Sequence, residues 1–329
     1  MRVDLLTLQR LGLPADQNLG AKLAASSANV KSYNWFGPPG LNPPTEVAAL
    51  QSAAAAGSNG IVVGAFPAEL FQRPIDDAVS KGITVETLDV PAPASQASAH
   101  FGPSKFALGV ALADDWAKVL GKGAKGYVQP GVCVPGLPVL DAVVRGFKSE
   151  MTKLEPGVTT KAALNVTGDP ASNFTSWQRV TTQESDALGF FGVCDQDAPN
   201  LVKVKKSSNA KYLIGTTSGD TASTITEVKN GTLNTVVSQD GFVQGYTSMY
   251  FLLQHLISKK PIPKGWFNTG LQVITKSNAD AALSRLKATD PKVSYLYYQS
   301  VIDKLLTEKP TESPADALTS SAAGPTPGQ

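Results

Sequence analysis

Short apolar runs alternate with segments of helical period along most of the chain, separated by Gly, Pro and Asn. Runs at 3–8, 30–35, 61–65 and 83–88 have strand length, and 61–65 has the unbroken apolar content of a strand buried on both faces. Between them, 18–28, 45–56 and a segment with Pro74 in its first turn repeat with helical spacing; a proline there loses no helix hydrogen bond. Strand and helix patterns in alternation predict βαβ units and a parallel sheet.

After Asp89 the periodicity lapses through 91–96, and a helix at 105–120 opens a second series of the same kind. It runs as strand 127–129, helix 138–154 with Val139, Val143, Phe147 and Met151 on one face, strand 159–166, helix 174–183, strand 188–193, helix 198–205, strand 212–215, helix 221–230 and strand 233–238. Helix 242–258 and strand 271–275 come once both series are complete, so they must return to one or both lobes. Two more helices are predicted at 278–287 and 293–306. The Pro, Ser, Thr and Ala-rich stretch from 309 onward is expected to be disordered.

Composition narrows the function classes. A chain of 329 residues holds two cores of about 100–150 residues each. With 42% hydrophobic and 17% charged residues it reads as globular. The net charge is +2, and the densest basic cluster, Lys203, Lys205 and Lys206, reads as a solvated helix face, so no nucleic-acid partner is expected. No run approaches the roughly 18 apolar residues of a membrane span.

Chemistry of the catalytic kind finds little footing. The chain has two histidines, His100 and His255, and neither stands near a recognisable nucleophile. The GKGAKG stretch at 121–126 lacks phosphate-loop spacing, and no Gly-x-Gly-x-x-Gly follows the first strand. Cys133 and Cys194 have none of the spacing of a zinc site. No catalytic residue, metal or cofactor is therefore expected. The most informative residue is Asp89, a carboxylate at the carboxyl end of the fourth strand, where open α/β sheets bind ligands.

The order of elements, with GIVVG at 60–64, GITVETLD at 82–89, VRGF at 144–147, VCDQD at 193–197 and NGTLNTVVSQ at 230–239, resembles the type I periplasmic, sugar-type solute-binding proteins that feed ABC transporters. The resemblance implies two Rossmann-like lobes joined by three crossover segments: lobe one at 1–103 plus 239–268, lobe two at 104–238 plus 269–310, and a disordered tail at 311–329. It implies a monomer that captures a small molecule between the lobes, closes about a hinge and delivers the molecule to an ABC permease. It also implies export, to the periplasm or to a lipid anchor at the cell surface, and thus removal of a signal ahead of Met1, although a start directly on a strand also fits a cytosolic protein.

Carried over residue by residue, the resemblance makes Asp89 the acceptor of two ligand hydroxyls, with Gln9, Arg10 and Leu11 in the first-strand loop and Ala65 and Phe66 after the third strand. Phe174 and Trp177 become the rings that pack on the sugar, and Gln239 the glutamine of a crossing. His100 falls near the first crossing, where it is expected on the hinge surface, with contact to the ligand as the alternative. Other positions depart from the pattern. Val90 stands where an arginine is common, Asp141 where a second arginine would fork onto hydroxyls, Cys194 in place of an asparagine beside Asp195, and Thr217 near a further aspartate. Losing those groups leaves open a second ligand class, aromatic or weakly hydroxylated, with Phe190 and Phe191 as further rings. In a 2-1-3-4-5 sheet the strands before Cys133 and Cys194 are neighbours, so the two cysteines either form a disulfide or remain as buried thiols. A ligand-responsive repressor shares the core but carries a DNA-reading segment ahead of it, and a receptor-docking sensory binder stays open as well.

Overall fold

The computed structural model describes residues 1–28, 30–208, 210–310 and 313–327. The first series of apolar runs folds as β1 (Arg2–Leu6), β2 (Ser32–Phe36), β3 (Gly60–Val63), β4 (Thr84–Leu88) and β5 (Ala99–Gly102), linked by α1 (Leu13–Ser27), α2 (Pro43–Ala55) and α3 (Ala68–Ser80). The second begins at α4 (Lys105–Leu120) and runs through β6 (Gly126–Val132), α5 (Pro138–Leu154), β7 (Val158–Thr160), β8 (Leu164–Asn165), α6 (Pro170–Gln183), β9 (Gly189–Gly192), α7 (Asp197–Ser208), β10 (Leu213–Thr216), α8 (Ala222–Lys229) and β11 (Thr235–Ser238). The chain then returns through α9 (Gly241–Ser258), β12 (Gly265–Asn268), β13 (Gln272–Ile274), α10 (Ala279–Lys287) and α11 (Pro291–Thr307).

Two separate sheets result, one per lobe. Lobe one orders its strands β2-β1-β3-β4-β5-β12, all parallel; lobe two orders them β7-β6-β9-β10-β11-β13, with β13 antiparallel to β11. Each sheet is covered on both faces, which explains the near-continuous apolar strands. In lobe one, α1, α9 and α11 build one core layer around Phe242, Met249 and Tyr298, while α2 and α3 build the other around Leu50, Phe71 and Ile75. In lobe two, α4 and α5 enclose Trp116, Phe147 and Phe191, and α6, α7, α8 and α10 enclose Trp177, Phe190 and Ile225. The α4–α5 pair touches backbone to backbone. A methyl added at Gly109 would overlap the Val143 carbonyl oxygen, and one at Gly146 the Phe106 carbonyl oxygen.

Three short segments carry the chain between sheets: after β5 into α4, after β11 into α9, and from β12 to β13. The second crossing turns at Asp240, whose left-handed backbone (φ 48°) costs on the order of 1 kcal/mol for a non-glycine residue.

Several sequence expectations are corrected. Pro74 lies inside α3, not in its first turn, so the Leu70 carbonyl loses its helical donor. The strand expected at 159–166 is split into β7 and β8; Pro130 of β6 falls between their two pairings, where its missing N–H interrupts no ladder bond. Helix α11 packs on α9 and α1 in lobe one, although the resemblance assigned 269–310 to lobe two, because its buried face (Tyr298, Val301, Ile302, Leu305) completes that layer. The tail is ordered over its described residues. A 3-10 turn at Pro314–Leu318 buries Ala317 completely, Ser104 donates to the Ser320 carbonyl, Asn268 donates to the Ala322 carbonyl at 2.9 Å, and Thr326 donates to the Leu271 carbonyl at 3.1 Å. The ends of that tail, 311, 312, 328 and 329, lie outside the described residues.

Candidate functional site

The carboxyl ends of the strands in one lobe face those of the other across a cleft of about 1060 Å³. Its walls are the first residues past each strand: Leu8 and Gln9 after β1, Phe66 after β3, Asp89 and Val90 after β4, Cys194 and Asp195 after β9, Thr217 and Ser218 after β10, and Gln239 after β11. This is the ligand edge of an open α/β sheet, here supplied twice.

At the hinge end the polar groups form one connected chain. Lys105, the first residue of α4 and only 4% exposed, ion-pairs with Asp89 and donates to Gln239 Oε1 at 2.5 Å. Gln239 Nε2 in turn donates to the Thr217 carbonyl at 2.9 Å. Lobe one, the first and second crossings and lobe two are thereby tied at a single point. Asp89 adopts a left-handed backbone (φ 61°) that turns the chain at the strand end.

Asp195 makes the second polar centre. It accepts from Ser218 within its own lobe and from Gln9 Nε2 of lobe one at 2.9 Å. Burial pushes its carboxyl above the ordinary range and the nearby Asp89 charge adds to that, while the hydrogen bonds from Ser218 and Gln9 pull the other way. The lobes meet closely here. A methyl at Gly12, where the chain turns into α1, would come within 2.5 Å of Asp195 Oδ2.

The remaining wall is apolar. Leu8, Phe66 and Val90 of lobe one pack with Leu137, Val139 and Leu140 of lobe two, and Leu318 of the tail joins the same cluster. Cys133 and Cys194 form a disulfide, with Cα atoms 6.2 Å apart, between the loops after the neighbouring strands β6 and β9. Both cysteines line the cleft.

Of the residues named from sequence, Gln9, Leu11, Phe66, Asp89, Cys194, Asp195, Thr217 and Gln239 line this cleft, and Val90 does so as an apolar contact. Others do not. Trp177 is fully buried in the lobe-two core, its indole donating to Asp197 at 2.9 Å, and Phe174 packs half-buried against that core. Phe190 and Phe191 are core on opposite faces of the lobe-two sheet. Arg10 turns away to donate to the Gly37 carbonyl at 2.7 Å, Ala65 packs in the lobe-one core, and Asp141 stays outside the cleft lining. His100 is not on the hinge surface; it is fully buried in β5 beside Thr87, where burial lowers its pKa to about 3 and keeps the ring neutral.

Lys105 escaped the sequence reading. A signal was available, because a lysine in the first turn of a helix opposes the macrodipole and needs another partner to hold it there. Ser218 and Val139 were missed for a different cause, since both depend on how a loop and a helix are rotated.

This fold and site define a two-lobed binding protein of the periplasmic type. The chain matches the periplasmic binding protein domain family over residues 15–260 and belongs to it. Among curated proteins it is similar to the xylose/arabinose-binding protein XylF of Sulfolobus acidocaldarius, 22% identical over 263 residues, covering 75% of this chain and 64% of that protein. Among solved structures it is similar to an ABC transporter solute-binding protein of Burkholderia graminis in complex with D-arabinose, with a TM-score of 0.78 at 23% identity over 84% of this chain and 96% of that one. A solute-binding protein of Agrobacterium vitis bound with α-D-tagatopyranose aligns with a TM-score of 0.77 at 23% identity, over 88% of this chain and all of the other.

Proposed function

We propose that the chain is the solute-binding component of an ABC importer, working outside the cytoplasm, that holds a sugar or a related polyol in the interlobe cleft and hands it to a permease without altering it chemically. The observation that carries this reading is the Asp89–Lys105–Gln239 cluster, in which hydroxyl-binding groups sit on the crossings themselves. A ligand that bonds these groups contacts both lobes and the hinge at once, so it binds the closed arrangement better than an open one and shifts the population toward closure. Sugar complexes among the structural neighbours, the family match and a disulfide suited to an oxidising compartment support the same reading.

A thermal-shift screen over aldopentoses, aldohexoses and polyols tests it, because a ligand at 100 times its Kd adds about 2.7 kcal/mol of stability. Asp89→Asn keeps the side-chain shape but removes the charge. A hydrogen bond to a charged group contributes about 1.5–3 kcal/mol, so calorimetry should show the best ligand weakened by about ten- to a hundredfold. Unchanged affinity in this variant removes Asp89 from the site, and chemical conversion of the ligand on incubation refutes the role of a pure carrier.

A further inference from the structure

Resting on the reading of this cleft as a sugar site, we propose that the ligand is an uncharged glycoside: a small hydroxylated ring held at the hinge end, bearing an apolar substituent that runs toward the mouth. The cleft keeps about 1060 Å³ even though the lobes already touch across it through Gln9 and Asp195. That exceeds the roughly 300–1,000 Å³ typical of pockets for drug-sized ligands, where a single sugar ring belongs at the small end.

The polar groups at the hinge end and around Asp195 are largely engaged already, and of the other polar residues in the lining Asn42 and Asp169 cap helices and Asn200 bonds within lobe two. Asp89 is held by Lys105, Lys105 by Gln239, and Asp195 by Gln9 and Ser218. What stays available is small. Lys105 has a third N–H and Asp89 a second oxygen. Those groups suit a few hydroxyls. A ligand rich in them would leave several facing the apolar cluster around Phe66 and Val139 unpaired, which is unfavourable.

The mouth has a different character. Pro38, Pro39 and Leu41 of the β2–α2 loop face Pro170 and Pro199 of lobe two. The charged groups at that rim are Asp169, whose carboxylate caps α6, and the exposed Lys203. The Lys105–Asp89 pair matches its own charge while Asp195 has no cation partner among the described residues, so an anionic ligand would meet uncompensated negative charge, whereas a neutral one disturbs nothing.

Calorimetric titration of the full chain with aldopentoses and aldohexoses, each beside its α- and β-phenyl glycosides and with benzyl alcohol as the sugar-free aromatic control, tests the assignment. The expected result is a phenyl glycoside that binds at least tenfold tighter than its parent sugar and than benzyl alcohol. Leu41 is 45% exposed, so Leu41→Asp should fold, and it should move the glycoside-to-sugar affinity ratio toward one. A parent sugar that binds as tightly as its glycosides overturns the inference and leaves the sugar-binding reading standing. Benzyl alcohol matching the glycosides, or a ratio unmoved in Leu41→Asp, also overturns it. Heat from none of the compounds overturns the sugar-binding reading and this inference together.

Discussion

Glu46 sits in the first turn of α2, completely buried, with neither carboxylate oxygen hydrogen-bonded among the described residues. Burial pushes its pKa up to about 8, so the folded protein holds a proton there that the unfolded chain releases near the ordinary value. The folded state therefore binds more protons between those two values. Stability from this group is complete below the ordinary carboxyl value, falls on the order of 1 kcal/mol per pH unit as pH rises from there toward about 8, and levels off beyond it. Glu46→Gln should flatten the fall in melting temperature between pH 5 and 8.5 and leave the variant more stable than the parent at the alkaline end, as read by scanning calorimetry. Some slope should persist, because burial also raises Asp240 to about 7 and Asp197 to about 6. Residues differ in how legible they are from sequence. Asp89 and Gln239 could be read because a position at the end of a strand follows from chain order alone. Phe174 and Trp177 could not, because the face an aromatic presents depends on the rotation of α6 against its sheet, and Asp197 holds the Trp177 indole in the core.

Among elements, the long helices and the near-continuous apolar strands declare themselves, while β5 and β12 do not. Each is four residues long, carries a polar or amphipathic side chain, and exists because a neighbour pairs with it. The tail is the extreme case. Its composition gives it no core of its own, yet the hinge supplies one: Leu318 joins the Phe66–Val90–Val139 cluster, Arg145 donates to the Leu318 carbonyl at 3.4 Å, and Asn268 holds the Ala322 carbonyl. A chain ended at residue 310 should unfold about 2–8 °C lower, the shift that a loss of roughly 1–2 kcal/mol produces in a domain of 150–250 residues. An unchanged melting temperature would mean that these contacts contribute nothing to folding.

At the scale of the whole molecule, a second buried cation ties the two lobes together. Arg285 of α10, 4% exposed, bonds both oxygens of Asp16 at the start of α1 in lobe one, lies 3.9 Å from Asp220 of lobe two, and stands over the Tyr298 ring. Tyr298 donates to Asp240 of the second crossing at 3.0 Å. Burial alone would lower the Arg285 pKa, but Tyr298 and the three carboxylates raise it on balance. Arg285→Met leaves buried acids unpaired, so urea denaturation at pH 7.5 should show a loss of about 3–5 kcal/mol. The deficit should shrink at pH 5, where the acids can take up protons.

Chain order and hydropathy were enough to specify two parallel-sheet lobes and the strand edge that lines the cleft, because both depend on local periodicity and on the handedness and shortness of connections, while the strand order was what the family resemblance implied. Which side chains meet across the gap was settled only by three-dimensional packing. Lys105 against Asp89, Gln9 against Asp195, Cys133 bonded to Cys194 and the tail seated on the hinge are all pairings between segments distant in the chain. Nothing in the local pattern encodes such pairings, since the angle between the lobes and the rotation of each helix set them.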